Sequence, residues 1–219
     1  MKKNIFFDLD GTLLDSKPGI ARCINHALVE LGSPARDEED IMPMIGPPLA
    51  KGFPTLLGSD DSALIAKAIS LYRARYDQVG IYESSLFAGV TDMLADLAAR
   101  DCQIYLVTAK PQPYAVRILG HFSIDAYFRG IFAPTMDDKR DGKGHLVNEL
   151  LTSNELDHRA SAMIGDRDRD IAGGRDNGVT AIGVLWGYGT RQELISSGAE
   201  FLVESPKDLL EVLGCSTES

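Results

Sequence analysis

Cysteine, histidine and tryptophan are scarce in this chain of 219 residues, with three, four and one copies. Cys23, Cys102 and Cys215 are odd in number, far apart and form no Cys-x-x-Cys pair, so a disulfide framework is excluded and reduced thiols in a cytoplasmic protein are expected. His26, His121, His145 and His158 are scattered without metal-ligand spacing, and Trp186 reads as packing. Basic residues are also in deficit: 22 Lys plus Arg against 32 Asp plus Glu give a net charge of −10. With a pI near 4.8 there is no basic stripe to neutralise a duplex, so nucleic-acid polymers are unexpected partners. A small anion stays possible, because a metal ion, a few cations or a helix N-terminus can dominate one pocket. Long apolar runs are missing too. Ile5-Phe6-Phe7 is too short for a signal-peptide core, and neither a secretion signal nor a membrane span is expected.

What is present is the composition of a soluble globular protein, 44% hydrophobic and 25% charged, long enough for one domain or one with a small second. Asn4 to Phe7 reads as a buried strand that ends in a polar loop. Beyond Ser16 and Pro18, helical spacing runs through Ile20, Cys23, Ile24, Ala27, Leu28 and Leu31 to Gly32. After a Pro/Gly-rich break at 42–48, a second helical set follows from Leu64 to Tyr76. From Gly89 onward strand and helix alternate. Helices are expected at Val90 to Ala98, Pro111 to Leu119, Lys143 to Leu151, Arg191 to Ser196 and Pro206 to Leu213, with Ile171 to Asn177 as part of another. Strands are expected at Gln103 to Val107, Ile131-Phe132, Ala160 to Ile164, Val179 to Leu185 and Phe201 to Val203. This order predicts an α/β fold, a doubly wound and mostly parallel sheet over 1–15 and 85–219, with a small all-helical domain, 16–84, inserted after the first strand.

A doubly wound sheet binds ligands outside the carboxyl ends of its strands, so polar residues just after each apolar run should converge. These are Asp8-Leu9-Asp10-Gly11-Thr12, Thr108, Lys143 near a helix start, and Gly165-Asp166 with Asp170. Four gathered carboxylates repel one another unless a cation neutralises them, and all-oxygen ligation suits Mg²⁺. Carboxylates, a hard cation, Lys and Thr together suit phosphoryl transfer, in which one aspartate attacks phosphorus while another moves a proton. The plainer alternative is that Asp8 and Asp10 cap a turn and that Asp166 to Asp170 start a helix. Lys139 and Arg140 compete with Lys143 as the anion-binding cation.

Two other phosphate and metal motifs fail. An EF-hand from Asp8 would need Gly and Glu where Leu13 and Gly19 stand; from Asp166 it meets Ile171 and Asn177. A nucleotide P-loop fails because Gly142-Lys143 is followed by Gly144, and Asp137 occupies the position of its first glycine.

These residues resemble the haloacid dehalogenase superfamily along essentially the whole chain. Its first motif is matched by Phe6-Phe7-Asp8-Leu9-Asp10-Gly11-Thr12-Leu13-Leu14-Asp15-Ser16, the second by Leu106-Val107-Thr108-Ala109-Lys110, the third by Lys143, and the fourth by Ile164-Gly165-Asp166 with Asp170. The resemblance implies Asp8 as nucleophile and Asp10 as general acid/base, with Thr108, Ala109 and Lys143 binding the phosphoryl group. It implies Mg²⁺ held by Asp8, the Asp10 backbone carbonyl and Asp166, with Asp170 acting directly or through water. The helical insert is similar to the family's cap. Asp10 argues for phosphate over halide, since the dehalogenases lack that residue. Gly165 stands where β-phosphoglucomutase-like members usually carry Glu.

Ile45-Gly46-Pro47-Pro48-Leu49, the Arg73–Gly80 segment and the loop 137–143 are similar to the phosphoglycolate phosphatase branch and its 5′-nucleotidase-like relatives. Arg22 and Lys51 read as solvated surface groups. The resulting expectation is a Mg²⁺-dependent phosphomonoesterase that acts on a small soluble metabolite through an aspartyl-phosphate. A nucleotidase or inorganic pyrophosphatase would use the same core. From other classes, a signalling receiver domain and a non-catalytic binding protein remain to be separated by turnover.

Overall fold

The computed structural model describes residues 2–45, 47–136 and 142–214. Gly46, Asp137, Lys139, Arg140 and Cys215, named above, lie outside the described residues. The chain divides into two compact units, Met1–Leu14 with Leu86–Ser219, and Asp15–Ser85.

In the first unit a six-stranded parallel sheet is built from β1 (Asn4–Phe7), β4 (Gln103–Val107), β5 (Phe128–Phe132), β6 (Ser161–Gly165), β7 (Thr180–Val184) and β8 (Phe201–Val203). The spatial order is β5-β4-β1-β6-β7-β8. β1 therefore lies centrally, with Phe7 paired to Leu106 on one side and Ile164 on the other. All four of its residues are buried, which matches the uninterrupted apolar run of a strand covered on both faces. Phe6 packs with Tyr105, Val107, Val147, Leu150 and Met163. The Phe6 and Tyr105 rings meet edge to face at 5.9 Å. Near the sheet's other end, Ile171, Ala181 and Leu194 form a second cluster.

Helices α5 (Val90–Ala99), α6 (Gln112–His121), α7 (Gly144–Ser153), α8 (Asp168–Arg175) and α9 (Arg191–Ser196) lie between these strands in sequence, and α10 (Pro206–Val212) follows the last. Side-chain oxygens of Thr190 and Ser205 accept from the backbone N–H groups of Glu193 and Asp208, capping α9 and α10. One element differs from the sequence expectation, and another extends one that was expected only in part. β5 begins at Phe128 rather than Ile131, because ladder bonds to β4 carry the strand through Gly130 despite a register irregularity at Ile104/Tyr105. α8 begins at Asp168, within the acidic cluster, because the Arg167 N–H donates to Asp170 Oδ2 at 3.0 Å.

The second unit is helical: α1 (Lys17–Glu30), α2 (Glu38–Ile41), α3 (Leu49–Leu57) and α4 (Ser62–Gln78). The short strands β2 (Leu14–Asp15) and β3 (Ser85–Leu86) pair where the chain crosses between units. Pro18 sits in the first turn of α1, but the Ser16 side chain does not cap it. α3 is a helix that spacing does not announce, since Pro54 lies inside it. A Cβ on Gly52 of α3 would meet the flexible Met44 side chain, which would have to shift. Among the described residues, no helix is long and apolar enough to cross a membrane.

Candidate active site

The carboxyl ends of β1, β4 and β6 bring the sequence-marked residues together. Asp8 directly follows β1, and its N–H donates to the Ile164 carbonyl at 2.9 Å, extending the ladder by one residue. Thr108 follows β4, Asp166 follows β6, Asp170 lies in the first turn of α8, and Lys143 precedes α7. All five are buried, Asp166 completely. The Lys143 ammonium contacts Asp8 Oδ1 and Asp170 Oδ1, each at 2.5 Å. One carboxylate oxygen from each of Asp8, Asp166 and Asp170 lies within 4.8 Å of the others.

Three buried carboxylates facing one ammonium leave an excess of negative charge away from water, a costly state. Burial pushes Asp8 up to about 7, against the opposing pull of Lys143 and with further repulsion from Asp170. It pushes Asp166 up to about 8, helped by Asp170 and Asp8. Burial alone would lower Lys143, but Asp170 and Asp8 outweigh it and hold the ammonium above its ordinary value. A divalent cation among these oxygens would remove the excess charge, and an all-carboxylate donor set is the kind that hard cations take.

Asp166 is held from two directions. Thr12 Oγ1 donates to its Oδ1 at 3.2 Å, and the Tyr188 N–H donates to Oδ2 at 2.8 Å. The loop after β7 closes this arrangement, as Trp186 Nε1 donates to the Thr12 carbonyl at 2.9 Å. Trp186 is thus a hydrogen-bonding support of the site, not packing alone. Space is the other constraint: a Cβ on Gly11 would collide with the Asp166 carboxylate, and one on Gly165 with the Asp170 side chain. Gly11 also has φ of +85°, a conformation that favours glycine.

Asp10 stands apart from the three-carboxylate cluster. Its Oδ2 pairs with the Lys110 ammonium at 2.8 Å. A metal role for Asp10 therefore rests on its backbone carbonyl. Thr108 Oγ1 accepts from the Lys110 N–H at 3.2 Å, which leaves its own O–H proton available to an incoming oxygen. At the rim, Glu193 Oε1 accepts from Arg167 Nε at 2.8 Å and from the Asp168 N–H at 3.0 Å. Burial would raise Glu193, but these bonds hold it below the usual carboxylate range.

Sequence reasoning missed Lys110, Trp186 and Tyr188 as parts of this site. Lys110 was visible two residues past Thr108. The Gly187-Tyr188-Gly189 run also follows an apolar strand, so the rule that strand ends converge applied to it.

A family model described as haloacid dehalogenase-like hydrolase matches residues 5–184. A Pseudomonas aeruginosa protein named 5′-nucleotidase is 39% identical over 191 residues, covering 87% of this chain and 86% of that protein. A Vibrio parahaemolyticus phosphoglycolate phosphatase is 31% identical over 225 residues, covering 98% and 97%. A Mycobacterium tuberculosis protein named tyrosine-protein kinase PtkA is 35% identical, over 84% of this chain but only 62% of its own length. Among solved structures, a putative phosphatase from Clostridium difficile superposes with a TM-score of 0.89 at 32% identity, covering 97% of this chain and 98% of that one.

Proposed function

The chain belongs to the haloacid dehalogenase-like hydrolase family, as a hydrolase of its phosphatase type, and from that premise we propose that it hydrolyses a small soluble phosphate monoester through an aspartyl-phosphate on Asp8. The observation that carries this reading is the Lys143 ammonium bridging Asp8 and Asp170 beside the buried Asp166.

In this reading Asp8 supplies the attacking oxygen, and Asp10 gives a proton to the leaving alcohol and later takes one from water. Thr108, the Ala109 backbone and Lys143 hold the phosphoryl oxygens, where donors aimed at developing charge have most effect. Asp8, Asp166, Asp170 and the Asp10 carbonyl would hold a divalent cation, which we assign as Mg²⁺. When bound, it neutralises charge on the carboxylates and the phosphoryl group. The helical unit is the cap in this reading and selects the substrate.

The proposed substrate class is a short anionic ester such as phosphoglycolate, consistent with the Vibrio relative matched over nearly its full length. A nucleoside 5′-monophosphate is the second reading, favoured by the higher identity to the Pseudomonas protein. Phosphate release from phosphoglycolate, nucleoside monophosphates, sugar phosphates, pyrophosphate and an aryl phosphate, with Mg²⁺ and with chelator, tests both. Metal-dependent release is expected, and the preferred ester chooses the branch. Silence on every ester from folded, metal-loaded protein overturns the reading in favour of a receiver or binding role.

A further inference from the structure

We propose that Lys110 is a positioning residue that fixes which oxygen of Asp10 exchanges protons with the substrate and with water. The inference rests on the aspartyl-phosphate reading and deepens it. Lys110 is nine-tenths buried, and a buried ammonium is tolerated where an anion meets it. That anion is Asp10, whose Oδ2 lies 2.8 Å from Nζ. The other oxygen, Oδ1, is buried with no hydrogen-bond partner among the described residues.

An aspartate carboxyl otherwise rotates about a soft, nearly two-fold torsion that exchanges its oxygens. With Oδ2 claimed by an ammonium, which donates and never accepts, only Oδ1 is left to carry a proton. The Lys110 N–H also donates to Thr108 Oγ1, so one residue ties the proton-transfer carboxyl to the hydroxyl proposed to grip the phosphoryl group.

The steps balance as follows. In the first, an Asp8 oxygen bonds to phosphorus, the ester P–O bond breaks, and the proton on Asp10 Oδ1 passes to the leaving oxygen. In the second, water bonds to phosphorus while its proton passes to Asp10 Oδ1, and the bond between phosphorus and Asp8 breaks.

Leaving-group chemistry separates this role from a structural one. An aryl phosphate with an acidic phenol departs without a proton, whereas an alkyl phosphate needs one. Lys110→Met should lower kcat on an alkyl ester by about 10²-fold, within the range general acids contribute, with KM nearly unchanged. On the aryl ester the first step should stay near the wild-type rate while the second slows. One equivalent of phenol per enzyme would then appear in a burst, followed by slow turnover. Lys110→Arg should restore part of the alkyl activity, and Lys110→Met should add little in an Asp10→Asn background. An equal fall in the first-step rate on both esters, the absence of a phenol burst, a raised KM without a fall in kcat, or an unchanged alkyl rate overturns the proposal. If Lys110→Met does not fold, the alkyl-to-aryl ratio of first-step rates in Lys110→Arg decides: a ratio below wild type supports the proposal, and an unchanged ratio overturns it. Failure of the wild-type enzyme to turn over any ester would instead remove the phosphohydrolase reading beneath it.

Discussion

The Lys143 ammonium lies 2.5 Å from Asp8 Oδ1, inside the protein and against the end of the central strand. A charge-assisted bond of that length fixes the carboxylate's rotation as well as its charge. The proposed nucleophile is therefore oriented before any substrate arrives.

Replacing Asp8 with Asn keeps the shape and removes the charge. Phosphate release should fall by about 10⁴-fold or more, as for other enzymes that lose their nucleophile. The thermal transition should hold steady or rise, because burial disfavours the ionised carboxylate, pushing Asp8 up to about 7, and the neutral amide is spared that cost. Parallel activity and melting measurements check both parts. Substantial residual turnover would rule out the aspartyl-phosphate.

Metal binding should release protons. Unfolded, these carboxylates ionise near 3.8; folded and metal-free, Asp8 and Asp166 do so near 7 and 8. The raised folded values make their contribution to metal-free stability complete below about pH 3.8, and it is lost as pH rises through about 7 to 8. A cation needs the ionised forms, so its apparent affinity should increase over that same window. Calorimetry in two buffers of different ionisation heat should count protons released at about pH 6.5 and almost none above about pH 9. No release at the lower pH would contradict the assignment.

Gly11→Ala tests the fit around Asp166. The backbone conformation alone should cost about 1 kcal/mol. Gly32→Ala serves as the control, since its φ is +76° and nothing lies within 4 Å of the added Cβ. Gly11→Ala should lose more stability than the control and weaken metal binding more than tenfold, because its Cβ displaces the Asp166 carboxylate. Equal effects in unfolding and metal titrations would show that Asp166 tolerates the intrusion.

In the helical unit Arg75 grips Glu83 with two nitrogens, at 2.6 and 3.2 Å, while Arg22 reaches Glu83 at 3.0 Å. The hydrogen bond from Arg75 holds Glu83 below its ordinary value, with Arg22 adding to it. The resulting stabilisation is present above about pH 4.5 and lost as pH falls through the lower folded value. Glu83→Gln should thus lower the melting temperature at neutral pH, with the difference from wild type shrinking as pH falls below about 4.5. A constant difference across that range would show that the contact acts through packing.

The parallel core was legible because buried parallel strands are uninterrupted apolar runs and their carboxyl ends collect polar residues. Asp8, Thr108, Asp166 and Asp170 all follow that logic. Lys110 and Trp186 did not stand out because their roles depend on pairing: Lys110 matters through Asp10, and the indole through a carbonyl 174 positions away. α3 was hidden for a local reason, as Gly52 and Pro54 both disfavour helix and tertiary packing overrides them. β5 was truncated in the reading because Gly130 interrupts its apolar run while the ladder to β4 does not need a side chain there.

The central position of β1 also dictates an order of events at the ribosome. Of the sheet's six strands Asn4–Phe7 emerges before the others, yet its neighbours are Gln103–Val107 and Ser161–Gly165, so Asn4 waits for its second partner 157 positions downstream. Until then the N–H and C=O groups of one edge have no ladder partner, and closing so long a loop is slow. The strand that presents Asp8 is consequently translated before both of its neighbours and flanked on both sides only once Ser161–Gly165 has been made. A nascent chain stalled before residue 161 would carry that strand with one edge open, exposed to chaperones or to a neighbouring copy.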